Sequence, residues 1–307
     1  MRVEEMKERA KENAFLRRIL APIIALRRRR YLQRKHQREE VVNRLQEILA
    51  APPMLEIKEF EGVFAFDSRS DLFKRILVEG MYEPELVAQC LHYLDAEKDA
   101  LDIGANIGLF SVLLAKHLRR RKVLAVEPTQ RARRWLHENL VHNHVRDRVI
   151  VFEGAASDRQ GQTTIQTIPG KEEYSSLGVM EHPAITGESC SEEQIFTDTV
   201  DHLVELYGLT PGFMKVDVEG AEHLVFSGAQ RVLKQHRPVI LSELSDFLLV
   251  RNGSSAAQVI GLIRSCGYDI IDPRHPNKPP GKLAFGDILC VPQELRHKFN
   301  NLLPLAG

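Results

Sequence analysis

Between residues 99 and 291, short apolar runs alternate with segments whose apolar residues recur every three or four positions. The runs Ala100 to Ile103, Val123 to Val126, Val149 to Phe152, Phe213 to Val218, Val239 to Leu244, Tyr268 to Ile271 and Gly286 to Val291 predict strands. Helical spacing falls at Leu109 to Leu118, Gln130 to Asn143, Ala221 to Gln235 and Ser255 to Cys266. Strands apolar throughout are buried on both faces, and their alternation with amphipathic helices implies a mostly parallel sheet covered on both sides. The expected class is a doubly wound α/β fold. The last two strands have only the proline-rich turn Pro273 to Pro280 between them, so they should form an antiparallel hairpin at one edge.

Upstream, Leu55 to Phe66 predicts a strand region, and Glu83 to Leu94 a helix opened by Glu83-Pro84, where a first-turn proline forfeits no hydrogen bond. Thr163 to Ile195 reads as a long loop insertion holding Tyr174-Ser175-Ser176 and Gly187-Glu188-Ser189. Loops of that length commonly act as lids or recognition elements, which makes this one a candidate for acceptor specificity. The pattern divides the chain into a helical N-terminal arm (1–52), a lead-in strand and helix region (53–98), a core domain (99–295) and a C-terminal tail (296–307).

Charge changes the picture of the arm alone. The 42 basic and 42 acidic residues cancel over the whole chain, yet residues 1–50 carry roughly seven more Lys and Arg than Asp and Glu. Its apolar stretch, Phe15 to Leu26, contains Pro22 and runs into Arg27-Arg28-Arg29-Arg30. The plain reading is a solvated or partner-binding helix. The sharper one is an interfacial anchor at residues 15–30, with Phe15, Leu16, Ile19, Leu20, Ile23, Ile24 and Leu26 toward acyl chains and the arginines on anionic head groups. No apolar run nears the roughly 20 residues that span a bilayer. Cys90, Cys190, Cys266 and Cys290 are too far apart for a CxxC or zinc motif. A cytoplasmic protein, touching the inner membrane surface at most peripherally, is expected.

In open α/β sheets ligands bind at the carboxyl ends of the strands, beside the point where strand order reverses. The first strand-to-helix turn reads Asp102-Ile103-Gly104-Ala105-Asn106-Ile107-Gly108. Gly104 and Gly108 permit positive φ and Asn106 tolerates it, so a ligand can approach the main chain. The third glycine of a dinucleotide fingerprint is missing, which disfavours an NAD-type oxidoreductase. Asp102 would repel a pyrophosphate and attract a cation; S-adenosylmethionine carries an ammonium and a sulfonium. Glu127, ending the second strand, stands where such folds place an acid on the ribose hydroxyls. Small residues after the third strand, Ala156 and Ser157 among them, leave room for an adenine ring.

Glu79-Gly80-Met81-Tyr82-Glu83-Pro84, Leu101 to Phe110, Glu127-Pro128, Phe196 to Leu203 and Lys215-Val216-Asp217-Val218-Glu219-Gly220-Ala221-Glu222 together resemble the FkbM family of methyltransferases, over roughly residues 75 to 292. The last segment is the most specific. The resemblance implies a seven-stranded class I methyltransferase fold, S-adenosylmethionine as donor, and O-methylation of a hydroxyl on a sugar, glycolipid, polyketide or related small molecule. It implies Asp102, Gly104, Asn106 and Gly108 around the methionine part, Glu127 on the ribose, and Ala156 with Ser157 near adenine. The arm has no counterpart in the family core.

Methyl transfer to an alcohol needs the oxygen held in line and its proton removed. Asp217 ends an apolar strand, where an ionised group is costly without a role, and is the first candidate for the reaction face. Asp217 and Glu219 point to opposite faces unless the chain turns at Glu219-Gly220. Glu222 reads as a helix N-terminal acid, and His223 as a proton acceptor or a plain surface histidine. Glu243, near the end of the next strand, can join Asp217; the pair could then hold a divalent ion, a reading ranked below the metal-free one. Two other functions compete with the small-molecule or glycan O-methyltransferase. They are the oxidoreductase and a catalytically idle cofactor-binding scaffold recruited through its basic arm. Nucleic acid is disfavoured as a partner because the core shows no basic, aromatic-interleaved face.

Overall fold

The computed structural model describes residues 14–168, 191–273 and 285–299. The chain enters on one long helix, α1 (Ala14–Ile48), whose backbone stays helical through Pro22. The predicted strand region at 55–66 is two strands. β1 (Met54–Ile57) and β2 (Gly62–Ala65) pair antiparallel around a short 3-10 turn that ends on Glu61 at φ 52°. Helix α2 (Asp71–Glu79) follows, capped by the Ser70 side chain accepting from the Phe73 N–H and ended by Gly80 at φ 77°. Sequence periodicity over nine residues was too short to announce it. In α3 (Pro84–Tyr93) the proline sits in the first turn, as expected.

The core alternates as the apolar pattern predicts: β3 (Asp99–Ile103), α4 (Leu109–His117), β4 (Val123–Val126), α5 (Gln130–His142) and β5 (Val149–Phe152). Next come β6 (Gly154–Ala156), β7 (Gly161–Thr167), β8 (Ser191–Asp198) and α6 (Val200–Leu206). The chain then runs through β9 (Pro211–Val216), α7 (Glu222–Ser227), β10 (Val239–Ser245), α8 (Asp246–Arg251), α9 (Ala256–Ser265), β11 (Tyr268–Ile271) and β12 (Phe285–Pro292), and the last described element is a short α10 (Arg296–Phe299). The main sheet has seven strands in the order β11-β12-β10-β9-β3-β4-β5. β3, β4, β5, β9 and β10 are mutually parallel, and β12 runs antiparallel to both β10 and β11. The expected C-terminal pair is therefore present, with the reversed strand seated between β10 and the edge strand.

Each core strand sends alternate side chains into two cores, as period-two geometry demands. Ala100, Ala125, Phe213 and Leu241 pack beneath α3, α4, α5 and the β1-β2 hairpin, whereas Leu101, Ile103, Met214, Val216 and Ile240 pack beneath α6, α7 and α9. Burial on both faces explains why these strands read as unbroken apolar runs.

Two expectations are corrected. The insertion between the third and fourth core strands is not a bare loop. Its flanks are β7 and β8, an antiparallel hairpin that joins β6 in a separate three-stranded sheet. The alternating Thr and Gln residues of β7 mask a strand because one face is solvated. Tyr174-Ser175-Ser176 and Gly187-Glu188-Ser189 lie outside the described residues, as does most of the Pro273 to Pro280 turn. The helix expected over 221–235 breaks after Ser227, and a π-turn covers Val232–His236. At the break, a Cβ on Gly228 would stand 2.0 Å from the Ser157 carbonyl oxygen, so only glycine fits where the two backbones meet.

Candidate active site

β3 lies between β4 on one side and β9 on the other, so the chain reverses its direction of travel across the sheet at β3. A cavity of about 510 Å³ opens there, at the carboxyl ends of β3, β4, β9 and β10. Gly104, Asn106, Glu127 and Ala156 line it, and so do Asp217, Glu219 and Glu243.

The glycine turn is built by its neighbours. Gly104 has φ 82°, and a Cβ there would stand 1.8 Å from the main-chain oxygen of Asp217. The two strand ends that form the cavity floor meet at that point. Gly108, at φ 89°, is the N-terminal cap of α4, and a Cβ there would lie 2.5 Å from the Leu136 side chain on α5. Asn106 takes φ 48°, and its N–H donates to Glu127 Oε2 at 2.9 Å. Glu127 Oε1 accepts from the N–H and the hydroxyl of Thr129 at 2.9 and 2.6 Å. Burial raises the Glu127 pKa against these three hydrogen bonds. The result is a carboxylate clamped in one orientation at the cavity wall.

Four predicted residues sit outside the wall: Gly108, which caps α4 and does not line the cavity, and Asp102, Ser157 and His223. Asp102 is fully buried within β3, with Oδ2 accepting from the Ser111 hydroxyl at 2.5 Å. The expectation that it meets a ligand's cation is corrected. Burial raises its pKa, and the cation that opposes this rise is the protein's own Lys215. Ser157 is buried too; its hydroxyl donates to Asp158 Oδ1 at 3.2 Å and its N–H to the Asp198 carbonyl at 2.8 Å. Only Ala155 and Ala156 of that segment reach the cavity. His223 is half-buried on α7 and does not line it.

The other end of the cavity is crowded with charge. β9 is buried along its whole length, yet it carries Lys215, whose ammonium donates to Asp217 Oδ2 at 3.1 Å and lies 4.7 Å from the centre of the Phe110 ring. Burial pushes the Lys215 pKa down, and Asp217, Asp102 and Glu83 more than reverse it, so the ammonium is held charged. Beyond β9 the chain turns through Glu219 at φ 51° and Gly220 at φ 96°. That turn brings Asp217 and Glu219 to the same cavity. Glu243 joins them from β10, opposite Asp287 of β12 in the ladder. Burial, then the charges of Asp217, Asp287 and Glu83, push the Glu243 pKa up to about 8. Glu222 is buried at the start of α7 and accepts from the Gly220 N–H at 3.1 Å, with burial raising its pKa to about 7. Among the described residues, no group of three or more His, Cys, Asp or Glu is arranged to hold a metal ion.

Sequence reasoning missed Lys215, Glu83, Arg75 and Phe110 on this wall. Lys215 carried a usable signal, because a cation inside an apolar strand needs the same explanation as the Asp217 anion. Arg75 carried none, since it sits on α2, which was not foreseen. Its guanidinium lies 5.1 Å from the Tyr82 ring centre and 3.9 Å from Glu83. Tyr82 itself lines the cavity, with its ring centre 6.2 Å from that of Phe60.

The strand order with one reversed strand, and the cavity at the switch point, define a class I methyltransferase fold. The chain belongs to the FkbM methyltransferase family. The Methyltransferase FkbM domain matches residues 102–270, more than half of the 307 residues. The chain is similar to the AMB antimetabolite synthetase AmbE of Pseudomonas aeruginosa, with 32% identity over 117 residues, which are 38% of this chain and 5% of that protein. Among solved structures it resembles methyltransferase FkbM from Methylobacillus flagellatus KT, at TM-score 0.40 and 17% identity over 64% of this chain and 44% of that one. It also resembles the O-methyltransferase from Bacillus cereus in complex with SAH, at TM-score 0.40 and 14% identity over 84% and 99% of the two chains. The chain thus spans less than half of the first of these structures and a twentieth of the synthetase.

Proposed function

We propose that the chain is an S-adenosylmethionine-dependent methyltransferase that O-methylates a hydroxyl of a sugar, glycolipid or other small-molecule acceptor. The observation that carries this reading is one cavity with two chemically distinct ends: a clamped carboxylate beside a glycine turn, and a buried Lys215 with the half-buried carboxylates Asp217 and Glu243. The residues fit the donor. A carboxylate offers about four acceptor positions; Asn106 and Thr129 fill three on Glu127, which leaves one on Oε2 for a ribose hydroxyl. Ala155 and Ala156 leave flat space for adenine, and the surplus of carboxylates at the far end favours a cationic sulfur.

When bound, S-adenosylmethionine supplies a methyl group already activated on its sulfonium. The protein's task is then the acceptor. Glu243 is the proton acceptor in this reading, because a carboxyl near pKa 8 is matched to an alcohol far better than an ordinary carboxylate. Lys215 holds Asp217 in place as the fixed charge of the reaction face. Methyl-labelled S-adenosylmethionine, incubated with sugars, glycolipid extracts and polyketides, should label one class at oxygen, as read by mass spectrometry. Absence of donor binding by calorimetry would sink the donor assignment, and label on nitrogen or carbon the O-methylation. Activity that vanishes on exhaustive chelation and returns with a divalent ion would move the proton transfer to a metal.

A further inference from the structure

Helix α1 leaves the body of the protein beside this cavity. The Tyr31 hydroxyl and the Lys35 ammonium both donate to the Glu79 carboxylate at the end of α2, at 3.0 and 2.5 Å. Farther along, Arg38 donates to the Val78 carbonyl at 3.0 Å and Gln46 to the Ser70 carbonyl at 3.4 Å. α1 and α2 therefore run antiparallel, with Val42 buried. The helix backbone from Ala14 to Arg30 therefore runs on past Gly80, where the chain turns into Tyr82 and Glu83 on the cavity wall. Arg75, one turn back along α2 from Glu79, lines the same wall. At 1.5 Å per residue, residues 14–30 reach roughly 25 Å beyond the last of these contacts.

The near part of that projection is basic. Arg28, Arg29 and Arg30 are exposed and make no ion pair among the described residues, and Leu26, Tyr31 and Leu32 are exposed beside them. The side chains of residues 14–24 lie outside the described residues. In sequence, the apolar-rich stretch Phe15 to Leu26 runs directly into Arg27-Arg28-Arg29-Arg30. No helix among the described residues is long and apolar enough to cross a membrane. An exposed basic run beside an apolar-rich stretch suits attachment to an anionic lipid interface. The charge balance selects the face: the arm carries the excess of cations, and the remainder of the chain carries an equal excess of anions, which an anionic surface repels.

We infer that α1 is a docking arm for an anionic phospholipid surface, one that holds the cavity mouth at the bilayer so that the acceptor hydroxyl arrives on a lipid. The docking stands on the arm alone; the lipid-borne acceptor rests on the proposed methyl transfer. The test uses the full chain and the variant R28E/R29E/R30E, with calorimetric S-adenosylmethionine binding and the thermal melt as controls that the cavity is intact. Vesicles of phosphatidylglycerol and phosphatidylcholine should pellet the wild type and vesicles of phosphatidylcholine alone should not. The variant should lose about a hundred-fold in partitioning, since each basic residue at the surface accounts for a several-fold gain. Equal pelleting of the two proteins, or equal pelleting by the two vesicle types, overturns the docking. So does a lipid-free dimer in sedimentation velocity that the variant abolishes, because α1 would then pair with a second copy. With docking intact, label from methyl-labelled donor should extract with the lipid fraction of a membrane preparation. Label confined to water-soluble acceptors overturns the lipid-borne acceptor and leaves O-methylation standing, whereas label in neither fraction counts against the methyl-transfer reading itself.

Discussion

The two ends of the cavity are held by different physics. At the Glu127 end backbone fixes most of the shape: two glycines at positive φ, Asn106 in the left-handed region, and a carboxylate held by two backbone N–H groups and the Thr129 hydroxyl. At the Lys215 end the backbone is ordinary strand up to Val216, and the side chains set one another's charge states through burial and mutual fields. A site of the first kind presents one shape and suits a ligand that never varies. A site of the second kind shifts its protonation when a charge arrives, which suits a reacting centre.

That contrast can be broken most forcefully at Gly104. Gly104→Ala should cost at least about 4 kcal/mol in urea unfolding, since the new methyl meets the Asp217 main chain. Gly80→Ala, at nearly the same φ with nothing within 4 Å, should cost only about 1 kcal/mol. Similar losses at both sites would mean that φ alone, and not the meeting of strand ends, constrains Gly104.

At the other end, Glu243→Gln should lower kcat by about a hundred- to a thousand-fold with donor KM unchanged, and should erase the rate limb near pH 8. Unchanged turnover would return the base to Asp217. A smaller effect is expected from Glu127→Gln. Removing the charge-assisted bond should weaken donor binding by about ten- to a hundred-fold in calorimetry while kcat at saturating donor holds. A fall in kcat alone would dissolve the distinction between the ends.

The last effect is the pH dependence of stability. Glu243 and Glu222 have folded pKa values of about 8 and about 7, above the ordinary carboxylate value they regain on unfolding. Between those limits the folded state binds more protons than the unfolded one, so stability falls as pH rises. The Tm should drop by about 5 °C from pH 5 to pH 8, and Glu222→Gln should flatten the slope. A Tm that rises over that interval would show that the carboxyls ionise freely in the fold.

The sheet was legible because its strands are buried on both faces. An unbroken run such as Val123 to Val126 has no competing reading at that length, and its ends agree with the structure. β7 was hidden for the opposite reason, being polar on its solvated face, and α2 because nine residues hold too little periodicity. The order of elements, the glycine turn, Glu127 and the Asp217 segment follow from the sequence because local spacing and backbone preference act over a few residues. Other features required tertiary structure: Asp102 turned inward to face Lys215, Glu243 was placed opposite Asp287, and α2 was brought to the cavity under α1. Burial and electric fields depend on which distant segments meet, and one-dimensional spacing does not carry that information.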